Sequence, residues 1–383
     1  MEPGCCTLIA NRIRQQGPIT VAEYMDLALY APDAGYYARA AQRSGRTGDF
    51  YTSVDASPLF GELLARQFAE MWRAMAPAGA PPAVPFELVE AGAGNGRLSR
   101  DVLDGAQRRD PSFYQSIAVH LSERSAAARL AHAGVYADHP GRFASSSADL
   151  PTACSGVLFA NELLDAFPVH RVAMTAQGLC EIFVDIEAGQ FVERLGEVSS
   201  PALATHLERL GITLDVGARA EINLAALAWI RAAASSLTRG FLLLVDYGHE
   251  AVELYSPAHA DGTLTTFYRH VADAADQRGR GTPAWLAAPG TRDLTSHVDL
   301  TSIRREAERS GLITLGVVDQ SRFLLNLAEH TGLLAEVAGP DRLRDRLALK
   351  TLLLPGGLGS THRVMVFGKQ VGTPALTGML GRR

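Results

Sequence analysis

The sequence has no long apolar run and no cluster of basic residues. Among its 383 residues, no apolar stretch approaches the roughly 20 residues that a membrane-spanning helix requires. Lysine and arginine form no runs, and the formal net charge is −5. A mildly acidic chain of this kind is poorly suited to general binding of nucleic acid or anionic membranes. We therefore expect neither nucleic-acid binding nor membrane insertion.

Cysteine is also scarce. The chain has four, Cys5, Cys6, Cys154 and Cys180, which show neither the spacing of metal ligands nor a disulfide framework. Residues 1–11 lack the basic segment that precedes the apolar part of a signal peptide. These features predict a cytoplasmic protein without a structural metal.

The length indicates more than one structural unit, because a typical domain has about 150 residues. A linker rich in proline, alanine and glycine at 77–85 separates an N-terminal helical cap, 1–80, from a core, 85–370. Strands and helices alternate in the core, which predicts a parallel sheet covered by helices on both faces. Insertions are expected at about 169–215 and 250–298, the second with a helix over 264–276. The tail, 371–383, is expected to be disordered.

A glycine-rich loop is the most informative part of the sequence. A short apolar strand at 86–91, carrying Glu90, is followed by Gly92, Ala93, Gly94 and Gly96 and then by an amphipathic helix. Alternating glycines allow a tight turn against which a flat ligand can lie. The helix contributes unpaired N–H groups and the positive end of its dipole. The arrangement predicts a nucleotide-like cofactor at the carboxyl end of a parallel sheet.

Two acidic residues indicate which cofactor this is. A dinucleotide fingerprint requires a small residue at position 97, where this chain has Arg97. Glu90 precedes the first glycine and suits a positively charged ligand. Glu123, at the end of the next strand, can accept hydrogen bonds from ribose hydroxyls. The loop thus resembles the first motif of class I S-adenosylmethionine (SAM) methyltransferases, and SAM is the predicted cofactor.

Further segments resemble the MidA-like family of these methyltransferases, over residues 19 to 369. The matching segments include Gly35-Tyr36-Tyr37, Gly48-Asp49-Phe50, Asn161-Glu162-Leu163-Leu164-Asp165-Ala166-Phe167-Pro168-Val169, Asp246-Tyr247-Gly248 and Asp293-Leu294-Thr295-Ser296-His297-Val298-Asp299. The resemblance implies an α/β, Rossmann-like sheet of seven strands with the last strand antiparallel. It also implies an enzyme, since mitochondrial members methylate an arginine of a respiratory complex I subunit during assembly.

The chain departs from the family pattern at two places. Ala93 and Asn95 stand where the family often has proline and arginine. The segment 357–363, Gly357-Leu358-Gly359-Ser360-Thr361-His362-Arg363, replaces a Met-Gly-Glu-like run followed by an aromatic residue and a lysine. The second departure leaves open whether the methyl acceptor is a protein or a small molecule. A homodimer is one open alternative for the assembly.

The candidate catalytic residues follow the fourth strand, at the edge where an acceptor binds in open sheets. Planar carboxylates hold a guanidinium well, so Glu162 and Asp165 are expected to orient the acceptor. For Asp165, capping of a helix is an equal alternative. Asn161 is expected to form a hydrogen bond with the methionine part of SAM or with the acceptor. Three further candidates, Asp49, Thr52 and Ser53, are expected to close over SAM from the cap.

Other polar residues near strand ends have a structural alternative. Asp246 either forms a second polar wall or makes a strand-end hydrogen bond. His297 and Asp299 together resemble a catalytic pair, but Asp299 is expected to cap the helix over 300–310. His170 and His249 are expected to be hydrogen-bonded structural residues rather than catalytic bases.

Three functions follow from these residues: a protein arginine methyltransferase, a small-molecule methyltransferase, and a non-catalytic assembly factor. Retention of Glu90, Glu123 and Glu162 argues against the third, because a protein that only binds a partner has no need of them.

Overall fold

The computed structural model describes residues 4–38, 53–76, 85–268, 271–274, 283–337, 339, 342–353 and 361–381. Its helices are α1 (Cys5–Gln16), α2 (Val21–Tyr30), α3 (Ser53–Ala56), α4 (Leu59–Ala74), α5 (Arg97–Arg109), α6 (Pro111–Ser116), α7 (Ala126–Val135), α8 (Pro201–Leu210), α9 (Leu224–Ser236), α10 (Ala251–Leu254), α11 (Leu300–Arg309), α12 (Gln320–His330), α13 (Leu333–Val337) and α14 (Leu343–Leu353). Among the described residues, no helix combines the length and the apolar character of a membrane span.

The strands are β1 (Ile19–Thr20), β2 (Phe86–Ala91), β3 (Ile117–Ser122), β4 (Phe143–Ser147), β5 (Cys154–Asn161), β6 (His170–Thr175), β7 (Gly178–Glu187), β8 (Gln190–Gly196), β9 (Arg219–Ile222), β10 (Leu237–His249), β11 (Thr265–Tyr268), β12 (Val271–Ala274), β13 (Asp293–Thr295), β14 (Val298–Asp299), β15 (Ile313–Asp319) and β16 (His362–Lys369). They form three sheets.

The largest sheet has the order β15-β16-β10-β5-β2-β3-β4, with the short β14 beside the end of β10. Strands β4, β3, β2, β5 and β10 run parallel, whereas β16 is antiparallel to both of its neighbours. The central strands are nearly continuous apolar runs, as expected for strands buried on both faces. The predicted α/β sheet with an antiparallel last strand is confirmed.

The two faces of this sheet have separate apolar cores, because alternate side chains of a strand point in opposite directions. On one face, Phe159 of β5 packs on Phe68 of α4, with ring centroids 5.1 Å apart. On the other face, Leu158 belongs to a buried cluster with Ile230 of α9 and Ile303 of α11. Both faces are therefore covered by helices.

The N-terminal region divides between two cores and does not form the single cap expected for 1–80. Strand β1 adds to the edge of a second, antiparallel sheet, in which Ile19 pairs with Val184 of β7. Helices α1 and α2 pack there, with Met25 buried, while α4 belongs to the main sheet. The reason is a strand pairing over a long sequence separation, which a local pattern does not reveal.

Two further expectations are corrected by the structure. Residues expected as a helix over 264–276 instead include strands β11 and β12, and Thr266 of β11 pairs with Leu294 of β13. The tail is ordered over 371–381, where the side chain of Thr377 donates to Glu70 of α4 and the Gly378 amide donates to Gln67. Hydrogen bonds to Gln67 and Glu70 of α4 hold this segment in place, and the composition of the tail does not indicate them.

Gly105 allows α5 to approach α4 closely. A Cβ atom at this position would lie 2.8 Å from the Cα of Glu62. We expect Gly105→Ala to lower the free energy of unfolding by about 1–3 kcal/mol, because the helices must move apart. The control is Gly134→Ala in α7, where a Cβ would meet nothing within 4 Å; it should raise stability by about 0.5–1 kcal/mol. Urea denaturation measures both, and equal effects would contradict the packing argument.

Candidate active site at the carboxyl edge of the main sheet

The glycine loop after β2 adopts a backbone that suits glycine. Gly92, Gly94 and Gly96 have φ angles of 68°, 53° and 75°, in the left-handed region that side chains disfavour. The Gly92 amide donates to the carbonyl of Ser122 on β3 at 2.9 Å. A Cβ on Gly92 would lie 2.8 Å from Leu163 Cδ1. The loop is thus pressed between β3 and the segment that follows β5.

Glu90 is buried at the base of this loop. Its Oε2 accepts hydrogen bonds from the amide of Ser99 at 3.1 Å and from the Ser99 hydroxyl at 2.5 Å. Burial raises the pKa of Glu90 to about 8, although the bonds from Ser99 act in the opposite direction. One carboxylate oxygen therefore anchors the start of α5, and a neighbouring cation would favour the ionised form.

Glu123, which is predicted to bind the ribose of SAM, lies beside the loop. Its Oε2 accepts from the Gly94 amide at 2.9 Å, and its Oε1 accepts from the Ser125 amide at 2.7 Å. The carboxylate thus connects the glycine loop to the start of α7. Its position at the end of β3, next to the end of β2, is the one from which a carboxylate can reach a ligand on the loop.

A cavity of about 980 Å³ opens between the loop and the segment after β5. The volume falls in the range of cofactor and ligand sites. The predicted residues in its wall are Glu90, Gly92, Ala93, Gly94, Glu123, Asn161 and Glu162. Gly96 is not in this wall; it precedes α5, where a Cβ would lie 3.2 Å from Leu121 Cδ1.

The turn after β5 brings Asn161 and Glu162 to the cavity. Glu162 has a φ of 51°, a conformation that non-glycine residues rarely adopt and that often marks a functional site. The turn is fixed by Asp246 of β10, whose Oδ2 accepts from the amides of Leu163 at 3.2 Å and Leu164 at 2.8 Å. Burial raises the pKa of Asp246, and Asp165 adds to the shift. Asp246 therefore makes the strand-end hydrogen bonds, and it does not form a cavity wall.

Polar groups surround one oxygen of Glu162. Its Oε1 lies 3.2 Å from the Asn161 amide nitrogen, 3.4 Å from the Ser53 backbone nitrogen and 3.6 Å from Nε2 of His362. The Asn161 Oδ1 is buried and has no hydrogen-bond partner among the described residues. A buried acceptor of this kind in a cavity wall is suited to a ligand that donates a hydrogen bond.

The cap residues predicted to close over SAM are only partly placed. Asp49 and Thr52 lie outside the described residues. Ser53 is fully buried; its hydroxyl donates to Gln320 at 3.1 Å, and its amide faces Glu162. Ser53 therefore contacts Glu162 but is not part of the cavity wall.

Asp165 lies behind the turn and outside the cavity wall. It is 5% exposed, and its Oδ2 accepts from the Tyr247 hydroxyl at 2.6 Å. Burial raises the pKa of Asp165 to about 6, opposed by the hydrogen bond from Tyr247. The structure thus brings Asn161 and Glu162 to the cavity but keeps Asp165 in a polar cluster that supports them.

Aromatic residues in the cavity wall were not foreseen. Tyr30 and Tyr37 stack with ring centroids 5.4 Å apart, and the Tyr30 hydroxyl donates to the Ala166 carbonyl at 2.8 Å. The guanidinium carbon of Arg124 lies 4.2 Å from the centroid of Tyr30. The only sequence signal was the segment Gly35-Tyr36-Tyr37, to which no role had been assigned.

The remaining polar residues lie outside the cavity wall. Asp299 caps α11 as predicted, accepting from the Ser302 amide at 3.0 Å. His170 lies 2.8 Å from Glu181 in the second sheet. His249 and His297 are not in the cavity wall; their rings lie together, with centroids 5.1 Å apart.

The sheet topology and the glycine-loop cavity with its two acidic residues are those of a class I SAM-dependent methyltransferase. A family described as "Putative S-adenosyl-L-methionine-dependent methyltransferase" matches residues 63–318, and the chain belongs to this family. SAM is its cofactor, and the predicted MidA-like resemblance is confirmed.

Individual relatives agree with this assignment. The chain is 32% identical to the mitochondrial protein arginine methyltransferase NDUFAF7 of Rattus norvegicus, over 88% of this chain and 77% of the relative. It is 33% identical to the human protein, over 82% and 71%. A crystal structure from Burkholderia thailandensis with S-adenosyl-homocysteine bound has 31% identity and a TM-score of 0.85, covering 98% of this chain and 94% of that one.

The predicted cytoplasmic location is wrong. The rat, mouse and human relatives are named as mitochondrial proteins. The prediction used unpaired cysteines and the lack of a secretory signal, and neither feature separates the cytoplasm from the interior of another organelle.

The raised pKa of Glu90 predicts how the affinity for SAM depends on pH. Its pKa is about 8 in the SAM-free protein, and the sulfonium charge of SAM should lower it. Affinity for SAM should then rise as the pH increases through 8, by about tenfold for each unit that the pKa falls. Calorimetric titrations between pH 6.5 and 9 measure this trend.

Two controls isolate the Glu90 carboxylate from the titrating amino group of the ligand. Glu90→Gln has no carboxylate, and S-adenosyl-homocysteine keeps the amino group without the sulfonium. The ratio of SAM to S-adenosyl-homocysteine affinity should rise with pH in the wild type and stay flat in the variant. A flat ratio in both proteins would show that Glu90 does not sense the ligand charge.

Proposed function

We propose that the protein transfers a methyl group from SAM to a guanidinium nitrogen of arginine in a partner protein. The observation that carries the proposal is the position of Glu162, whose carboxylate shares a cavity with the glycine loop and Glu123. The relatives named as protein arginine methyltransferases support the choice of acceptor.

Glu162 is the residue suited to hold the acceptor. When bound, SAM supplies an electrophilic methyl group on its sulfonium sulfur. Holding the nucleophile in line with that methyl supplies much of the rate, as an effective molarity. The polar contacts of Glu162 within the described residues are all made by Oε1, so Oε2 is available to a guanidinium N–H. A carboxylate there also draws the guanidinium charge away from the attacking nitrogen.

Asn161 is the second residue proposed to bind a ligand. Its Oδ1 is a buried acceptor without a described partner, while its Nδ2 donates to Glu162. The amide is thereby oriented, with the oxygen left for an N–H donor. Both the amino group of SAM and a guanidinium N–H meet this requirement.

The aromatic wall suits an arginine side chain. The guanidinium of Arg124 lies over the face of the Tyr30 ring, which is the geometry of a cation–π contact. The side chain of Arg124 is 58% exposed, so it can move to admit another guanidinium. Tyr30 and Tyr37 are therefore proposed to flank the path of the acceptor.

Replacing Glu162 should separate catalysis from cofactor binding. We expect Glu162→Gln to lower kcat/KM for methyl transfer by about 100-fold or more, since an orienting charge is lost. The SAM dissociation constant should change by less than about threefold, because Glu162 faces the acceptor. Glu329→Gln, on the exposed face of α12, is the matched control and should leave both quantities unchanged. Loss of SAM binding in Glu162→Gln would assign Glu162 to the cofactor instead.

The class of acceptor can be determined directly. The wild type is incubated with methyl-labelled SAM and a lysate of its native cells, and label is located in protein and small-molecule fractions. Methylarginine in a protein hydrolysate is the expected result, absent with Glu162→Gln. Label in small molecules alone would favour a small-molecule methyltransferase, and no transfer with intact SAM binding would favour a non-catalytic assembly factor.

A further inference from the structure

Three histidines from separate segments meet beside the end of β10. They are His249 at the end of β10, His259 at the end of the turn Pro257–His259, and His297 between β13 and β14. One ring nitrogen from each lies within 4.8 Å of those of the other two. The centroids of their rings are 4.8, 5.1 and 6.0 Å apart.

A backbone carbonyl orients one of these rings. The Nδ1 of His259 lies 3.0 Å from the carbonyl oxygen of Glu253. A carbonyl only accepts, so Nδ1 carries the proton and Nε2 keeps its lone pair. This backbone contact is the support that metal-binding histidines commonly have. The Glu253 carboxylate lies 3.0 Å from the Nδ1 of His249, close enough to join a site formed by these rings.

The third ring offers an unused nitrogen. The Nδ1 of His297 is buried and has no hydrogen-bond partner among the described residues. The backbone of His297 is held in place, since its amide donates to the Thr263 hydroxyl at 3.1 Å. A buried nitrogen without a hydrogen-bond partner, next to two other imidazoles, is suited to bind a metal ion.

We propose that His249, His259 and His297 bind a zinc ion, with the carboxylate of Glu253 or a water as the fourth ligand. Three imidazoles and one oxygen are a donor set that zinc prefers. Zinc–nitrogen bonds of about 2.0–2.1 Å place ligand nitrogens roughly 3.4 Å apart in a tetrahedral site. The observed spacing, up to 4.8 Å, would have to shorten to this value through side-chain rotation when the ion binds.

The ion would join three segments that support the active-site turn. The ring of His297 packs edge-on against Tyr247, with centroids 5.5 Å apart, and Tyr247 donates to Asp165. The adjacent Ser296 amide donates to the Asp165 carbonyl at 3.0 Å. Because the histidines are outside the cavity wall, the ion has a structural role, and the site is independent of the methyl acceptor.

Zinc titration of the full chain tests the proposal. Protein treated with a chelator and dialysed is titrated with Zn²⁺ in a calorimeter, and its melting temperature is measured with and without the ion. The wild type should bind one zinc per chain and melt at a higher temperature with zinc. His259→Ala should bind at least about tenfold more weakly and lose the shift in melting temperature. His330→Ala, an exposed histidine at the end of α12, is the matched control and should behave as the wild type.

A spectroscopic measurement on the wild type covers the case in which His259→Ala does not fold. Co²⁺ in place of zinc should give the visible absorption of a tetrahedral nitrogen and oxygen site, without a thiolate charge-transfer band. The proposal is overturned if the wild type takes up no stoichiometric metal, if a thiolate band appears, or if His259→Ala and His330→Ala bind zinc equally.

Discussion

The parallel pairing of β2 with β5 is the constraint on which the site depends. Ala91 at the end of β2 pairs with Ala160 near the end of β5, so the two strands stop at the same edge of the sheet. The glycine loop leaves one strand, and Asn161 and Glu162 lie at the end of the other. In open parallel sheets, ligands bind beyond such carboxyl ends. The residues proposed to face the cofactor and those proposed to face the acceptor are therefore neighbours, although about 70 residues separate them along the chain.

The geometry of the site lowers the stability of the folded protein. Glu162 has a left-handed backbone, which costs on the order of 1–3 kcal/mol, and Glu90, Asp165 and Asp246 are buried acids whose pKa values are raised by burial. Asp246 offsets part of this cost by accepting two amide hydrogen bonds from the turn. Such strain is tolerated where function selects it. The proposed zinc ion would add metal–histidine bonds behind the turn that follows β5.

Local sequence signals predicted the features that local geometry controls. The glycine loop, the acidic residue at the end of β3 and the cap of α11 at Asp299 all follow from residues close in sequence, and the structure has each of them. What the sequence did not predict arises from long-range contacts. The edge pairing of β1, the burial of Asp165 against Tyr247 and the meeting of His249 with His297 all join distant segments. The sequence favoured a functional role for Glu162 and left helix capping open for Asp165, because an acidic residue after a strand does not reveal which way its side chain points.

A crystal structure with S-adenosyl-homocysteine bound is the most direct test of this account. The ribose hydroxyls should lie within hydrogen-bond distance of Glu123, and the sulfur should face the cavity wall formed by Asn161 and Glu162. A ligand bound outside the glycine loop, or a sulfur turned away from Glu162 with that carboxylate in solvent, would contradict it.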